Sequence, residues 1–337
     1  MSRRDLDEDD IRHRATGRSR PRSKQRPSHS DSVDSLVTAV DRGRITCAVA
    51  DDPATHVVAV KARELGRKAA VVGDRVGLVG DVSGATDTLA RLVRIDPRTT
   101  SLRRTADDSD PYERVIVANA QQMAIVVALA DPPPREGLID RCLVAAYDAG
   151  VEPILILTKS DLADPTVLLA NYRSFDVRAI TTQRGSNLDE LHALLKDQHT
   201  VMVGHSGVGK STLVNALVPS ADRAIGKVND VTGRGRHTST SVVAYHLDGG
   251  GWIVDTPGVR SFGLAHVDPN RVVNAFSDMT GGIDDCPRGC THDEEECGLD
   301  AWVANGHASA ERLDSLRRIL RARTESGDRH SNAEQEI

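Results

Sequence analysis

One octapeptide constrains the whole chain. Gly204-His205-Ser206-Gly207-Val208-Gly209-Lys210-Ser211 fits the pattern G-x-x-x-x-G-K-[ST], and it lies between an apolar run at 201–203 and a stretch of helical periodicity at 210–217. Strand, glycine loop and helix in that order make a cradle for phosphate. The glycines let backbone N–H groups close around phosphate oxygens, and the helix N-terminus adds the positive end of its dipole. Lys210 can reach the β- and γ-phosphates, Ser211 can ligate Mg²⁺, and Thr212 follows in the first helical turn. His205 stands at a variable position of the loop. A loop of this kind belongs to an α/β fold, a mostly parallel sheet with helices on both faces.

The surrounding sequence has the matching texture. Apolar runs at 124–129, 154–157, 201–203 and 252–254 read as buried strands, and stretches at 137–149, 187–196 and 210–217 carry helical spacing. Two further motifs sit at strand ends. Trp252-Ile253-Val254-Asp255-Thr256-Pro257-Gly258 places Asp255 where a carboxylate holds Mg²⁺ and Gly258 where a backbone N–H meets the γ-phosphate. Thr158-Lys159-Ser160-Asp161 directly follows the strand at 154–157. Guanine presents N1–H and an exocyclic amine as adjacent donors, and a carboxylate at Asp161 accepts both, whereas adenine has no such pair. Lys159 would lie along the base. Together the motifs favour GTP over ATP; a P-loop kinase or ATPase, or a nucleotide-gated RNA-binding module, is the competing reading.

The order of these motifs is unusual. In an ordinary Ras-like GTPase the phosphate loop comes first and the base motif last, whereas here Asp161 precedes Gly204. The domain is therefore circularly permuted, and the segment after Asp255 runs on into whatever follows.

What precedes and follows differs in character. Short β-rich runs at 35–40, 43–50, 56–62, 74–79 and 89–95 alternate with turn signals, as in a small OB-type barrel. Ahead of them, residues 11–30 hold Arg12, Arg14, Arg18, Arg20, Arg22, Lys24 and Arg26 with no acidic residue, the composition of a disordered basic arm suited to RNA. Near the other end, Cys286, Cys290, His292 and Cys297 form a Cys₃His set that suits one structural, tetrahedral Zn²⁺. Cys47 and Cys142 lie in apolar runs and read as core residues. A last amphipathic helix is expected at 309–323, packed on the module before it. The net charge of −6 over 337 residues excludes a globally basic nucleic-acid binder, and 3% aromatic residues exclude recognition by many stacked bases. No apolar run approaches the roughly 18–20 residues of a membrane span, and none at the start suggests a secretory signal, so no membrane partner and a cytoplasmic location are expected.

Several stretches together carry a family resemblance. They are VGDRV at 72–76, VIVANAQQ at 115–122, LIDRCLVAA at 138–146, TKSDL at 158–162, GHSGVGKST at 204–212, GRGRHTST at 233–240, IVDTPGVRSFGL at 253–264 and the cysteine cluster. The chain resembles the ribosome small-subunit-dependent GTPase A family. The resemblance implies an OB-type barrel, a circularly permuted P-loop GTPase domain and a C-terminal zinc-binding helical module, acting in late maturation of the small ribosomal subunit with its rRNA as partner. It also implies that 233–240 is the first switch, with Thr238 or Thr240 joining Ser211 and Asp255 on Mg²⁺, and that His237 positions the attacking water. The expected organisation is a disordered leader at 1–33, the barrel at 34–105, the GTPase domain at 112–268, the zinc module at 269–325 and a disordered tail at 326–337, in a monomer. This chain departs from the family at Thr158, where Asn is usual, at Gln121, where Asp is frequent, in a slightly tighter cysteine spacing and in its long basic leader.

The base assignment is directly testable. Asp161→Asn places a donor opposite guanine's donors and should weaken GTP binding by several kcal/mol; a variant that binds GTP as tightly as the parent contradicts it.

Overall fold

The computed structural model describes residues 29–66, 69–105, 113–219, 242–256, 264, 267–274, 276–294 and 296–331. Five strands close the first unit: β1 (Val33–Asp41), β2 (Arg44–Val49), β3 (Asp52–Lys61), β4 (Arg75–Val79) and β5 (Ala90–Ile95). Their order is β1-β2-β3-β5-β4 with β4 returning to β1, and only β3 and β5 run parallel. This is the OB-type barrel expected from the turn spacing. A bulge between Val37 and Ala39 bends β1 where it pairs with β2. Inward-facing Val37, Ile45, Cys47, Val57, Ala59, Val76, Leu78 and Leu92 fill the interior. Burial pushes the Cys47 thiol up to about 12, as befits an unreactive core residue.

A hairpin, β6 (Ser101–Thr105) and β7 (Glu113–Ala118), leads out of the barrel. Its end meets the turn before β4. Gly73 lets the Ala118 carbonyl approach so closely that a Cβ there would lie 2.0 Å from that oxygen. Asn119 donates to the Gly73 carbonyl at 2.8 Å and accepts from the Thr99 N–H at 2.9 Å. Asp74, fully buried, takes two hydrogen bonds from Arg98, at 2.7 and 2.9 Å. VGDRV and VIVANAQQ are thus two halves of one joint.

The central sheet contains β8 (Gln122–Ala128), β9 (Glu152–Thr158), β10 (Arg178–Thr181), β11 (His199–Val203), β12 (Val243–His246) and β13 (Trp252–Asp255). The order is β10-β9-β8-β11-β13-β12; the first five are parallel and β12 is antiparallel. A bridge from Val243 to Ala39 joins β12 to β1, so the barrel and the central sheet are hydrogen-bonded into one. At the start of β11, burial holds the His199 imidazole down to about 4, and the Gln121 side chain accepts the His199 backbone N–H at 3.0 Å.

Alternate residues build two separate cores. Met123, Ile125, Val127, Leu155, Leu157, Val201 and Val203 face α1 (Glu136–Ala149), which presents Ile139, Cys142, Leu143 and Ala146. Ala124, Val126, Ile154, Ile156 and Met202 face α3 (Asp189–Leu195) and α4 (Lys210–Leu217) through Leu191, Leu195, Leu213, Val214 and Leu217. Helix α1 ends at Gly150, whose φ of 66° lets its N–H bond the Tyr147 carbonyl. A short helix α2 (Thr166–Tyr172) follows β9.

The C-terminal segment comprises α5 (Pro269–Asn274), α6 (Gly298–Ala304) and α7 (Ala310–Ser331). Its apolar residues Phe276, Met279, Leu299, Leu313, Leu316, Ile319 and Leu320 belong to the same cluster as α1. The last helix, expected to pack simply on the module before it, also closes against the GTPase domain. Arg318 reaches Asp140 of α1 at 3.1 Å and lies 4.9 and 5.0 Å above the Tyr172 and Phe175 rings, and the Tyr172 hydroxyl donates to the same carboxylate at 2.9 Å. Burial raises the Asp140 pKa, an effect that Arg318 opposes. Among the described residues no helix is long and apolar enough to cross a membrane.

This clasp yields an energetic expectation. Removing one partner of a buried ion pair costs roughly 3–5 kcal/mol. The Arg318 side chain is 36% exposed, so solvent screens part of its charge and Arg318→Met should cost about 1–3 kcal/mol in urea unfolding. Adding Asp140→Asn should recover part of the loss by removing the stranded carboxylate; two losses that merely add would contradict this.

Candidate nucleotide site and metal cluster

The sequence motifs converge because the strands carrying them are parallel and end at one edge of the sheet. TKSD leaves β9, the phosphate loop leaves β11, and Asp255 ends β13, with β8 lying between β9 and β11. Such an edge is where open α/β sheets hold ligands.

The loop from Gly204 to Gly209 is seated by its own sequence. A side chain at Gly204 would meet the Val126 carbonyl at 2.6 Å, so glycine allows the loop to lie on β8. Val208 is buried beneath it in the core of α4, and Gly207 and Gly209 hold φ values of 84° and 91°. Ser206 is exposed, and Ser211 and Thr212 are exposed on the first turn of α4. The His205 ring turns back on its own loop, Nδ1 lying 2.9 Å from the Ser206 carbonyl. Lys210 forms an ion pair with Asp255, the two side chains being 10% and 19% exposed. Their meeting brings the loop and the end of β13 to one point. Thr256, next in the chain, is buried and donates to the Met202 carbonyl at 2.8 Å, fixing the exit from β13.

On the other flank, Thr158 is buried and its hydroxyl donates to the Val208 carbonyl at 2.5 Å. Lys159 has a φ of 57° and bonds the Asp131 carbonyl, while Asp161 stands exposed at the rim. The Ser160 N–H bonds the Thr182 carbonyl at 3.2 Å, which puts the exit from β10 beside the TKSD turn. Sequence reasoning missed this wall of the site. Its signal was faint: Ala179 and Ile180 are the only two apolar residues of a four-residue strand. Gly258 and the first-switch residues His237, Thr238 and Thr240 lie outside the described residues, as does Val259.

The RsgA GTPase family model matches residues 95–265. A small ribosomal subunit biogenesis GTPase RsgA from Pseudomonas fluorescens (strain SBW25) is 38% identical over 268 residues, covering 77% of this chain and 76% of that protein. The chain belongs to the RsgA GTPase family. It is a GTPase by that membership, and two solved structures share its fold. YjeQ from Thermotoga maritima aligns with a TM-score of 0.62 at 24% identity, over 87% of this chain and 98% of that one. YloQ, a circularly permuted GTPase, aligns with a TM-score of 0.61 at 23% identity, over 90% and 98%. The permutation read from motif order is thus a property of the fold.

Beyond the GTPase domain, the ligand atoms of Cys286, Cys290, His292 and Cys297 all lie within 4.8 Å of one another. Two thiolates about 2.3 Å from a tetrahedral ion stand about 3.8 Å apart. The Cys286 and Cys297 sulfurs are 3.8 Å apart, and each lies 3.5 or 3.8 Å from His292 Nδ1, so the set fits a tetrahedral metal. The outer shell is equally defined. His292 takes a φ of 69°, and its Nε2 lies 3.0 Å from the Asn270 side-chain oxygen on α5, which orients the ring with Nδ1 facing the Cys286 and Cys297 sulfurs. Arg317 donates to the His292 carbonyl at 3.0 Å while holding Asp300 at 3.0 and 2.7 Å, tying the cluster to α7.

Asn270 is the part of this cluster that the cysteine pattern did not reveal. Asn270→Ala should weaken metal retention by roughly 10–100-fold, measured by competition with a chromophoric chelator; unchanged retention would show that the ring needs no such support.

Proposed function

We propose that this protein binds GTP, associates with the small ribosomal subunit and its rRNA in the cytoplasm, and hydrolyses GTP to GDP in a step coupled to its release. The subunit partner comes from the name borne by the Pseudomonas relative. The observation that carries the nucleotide reading is the convergence of Lys210, Asp255 and the Thr158–Asp161 turn on one sheet edge. Asp161 accepts guanine's two donors, and Lys159 lies along the base. Backbone N–H groups from Gly204 to Thr212 surround the phosphates. Lys210 exchanges Asp255 for phosphate oxygens, and Asp255 is then free for Mg²⁺ together with Ser211 and Thr238 or Thr240. Mg²⁺ held by these residues would supply charge neutralisation on the phosphates. Gly258 supplies an N–H to the γ-phosphate.

The residue after Gly258 is Val259, so the water-orienting Gln of Ras-like enzymes is replaced by an apolar side chain and intrinsic turnover is slow. His237 takes over that role once a partner orders the first switch. The Cys₃His cluster holds one structural Zn²⁺ per chain, all four positions being filled by protein. The protein acts as a monomer.

Purified small subunits should accelerate GTP turnover, and His237→Ala should keep GTP-dependent binding to the subunit while losing most of the acceleration. Both are read in one preparation, by phosphate release and by co-sedimentation. Turnover that subunits leave unchanged would refute the partner, and an unimpaired His237→Ala would remove that residue from the mechanism.

A further inference from the structure

The phosphate loop contains a tight turn of its own. The Val208 N–H bonds the His205 carbonyl at 3.5 Å, closing a four-residue turn with Ser206 and Gly207 at its centre. Gly207 has a φ of 84°, as a type II turn requires at its third residue, about +80°. Types I and II differ by a half-rotation of the central peptide, here the one that joins the Ser206 carbonyl to the Gly207 N–H. The two groups of a trans peptide point in opposite directions, so the way the carbonyl faces decides where the N–H is aimed.

One side chain holds this peptide. His205 Nδ1 lies 2.9 Å from the Ser206 carbonyl. A carbonyl oxygen only accepts, so Nδ1 carries the proton, and in the neutral ring Nε2 keeps its lone pair. The ring is half-buried and shares the lining of a narrow apolar crevice with Pro132, Pro133, Leu138, Ile139 and Val208. With the Ser206 carbonyl held toward the ring, the Gly207 N–H points away from it. Among the described residues no protein group accepts from that N–H.

We propose that His205 is a positioning residue for nucleotide binding: its Nδ1–H keeps the central peptide of the turn in the type II orientation and so presents the Gly207 N–H to a phosphate oxygen of the guanine nucleotide. The proposal rests on the guanine-nucleotide reading above and deepens it. The imidazole does not touch the nucleotide; it acts through the peptide that does. A side chain that supplied bulk alone would need no proton on Nδ1.

The test compares the full chain with His205→Leu and His205→Asn, using GDP as the probe. Leucine keeps an apolar side chain on the crevice and gives up the donor, whereas asparagine gives up the ring and places an amide N–H where Nδ1 lies. Affinity is measured by calorimetry, and the β-phosphorus resonance of bound GDP by ³¹P NMR. His205→Leu should bind GDP about fivefold more weakly and shift the resonance. His205→Asn should stay near parental values in both. A His205→Leu protein with parental affinity or an unshifted resonance overturns the proposal. So does a His205→Asn protein impaired as much as His205→Leu, since that outcome assigns the residue to packing by its ring. If His205→Leu does not fold, His205→Ala takes its place with the same expectation. A parent protein that binds no GDP would refute the nucleotide reading itself.

Discussion

The structure depends on one strand being dry on both faces. All seven residues of β8 are buried, so the sheet around it must be covered on each side, and alternate side chains along β8, β9 and β11 serve two different cores. Parallel strands packed in this way share one C-terminal edge, and the phosphate loop, the TKSD turn and Asp255 are brought together there by the sheet alone. The order in which the chain visits those strands is immaterial to the edge. This is why a permuted connectivity keeps the same site.

Permutation does change what the site is attached to. Among the described residues after Asp255 none rejoins the sheet, and the apolar residues of the C-terminal segment join the core of α1. The Cys₃His cluster gathers the loops around Cys286–Cys297, while Phe276, Leu299 and Leu316 lie in the same apolar core as α1. The last helix supplies the clamps in series: Arg312 to Asp278, Arg317 to Asp300, Arg318 to Asp140 and Arg321 to Asp293. The bridge from Val243 to Ala39 links the barrel to the strand that neighbours β13.

Much of this was legible in the sequence, for identifiable reasons. Five turn-bounded strands gave the barrel, and glycine spacing, strand ends and motif order gave the permuted domain, because each rests on short-range chemistry. Four metal ligands in a short span gave the cluster. What stayed hidden depends on contacts between distant residues. Strand β10 is too short and too polar, with Arg178 and Thr181 at its ends, to announce itself beside β9. Asn270 lies far from the cysteines in sequence and offers an amide like any other. Arg318 reads as one exposed charge of an amphipathic helix until Asp140, Tyr172 and Phe175 close around it. Thr158 reads as the loss of an amide until the Val208 carbonyl meets its hydroxyl.

The central claim is that this edge is a guanine-nucleotide site built by a permuted sheet. Displacement of a fluorescent GTP analogue from the full chain tests it most directly, because base choice is set by the Asp161 turn and phosphate binding by the loop. GDP should displace the analogue at concentrations near its own affinity, and ATP at a hundredfold greater concentration should leave it bound. Displacement by ATP as effective as by GDP would contradict the account.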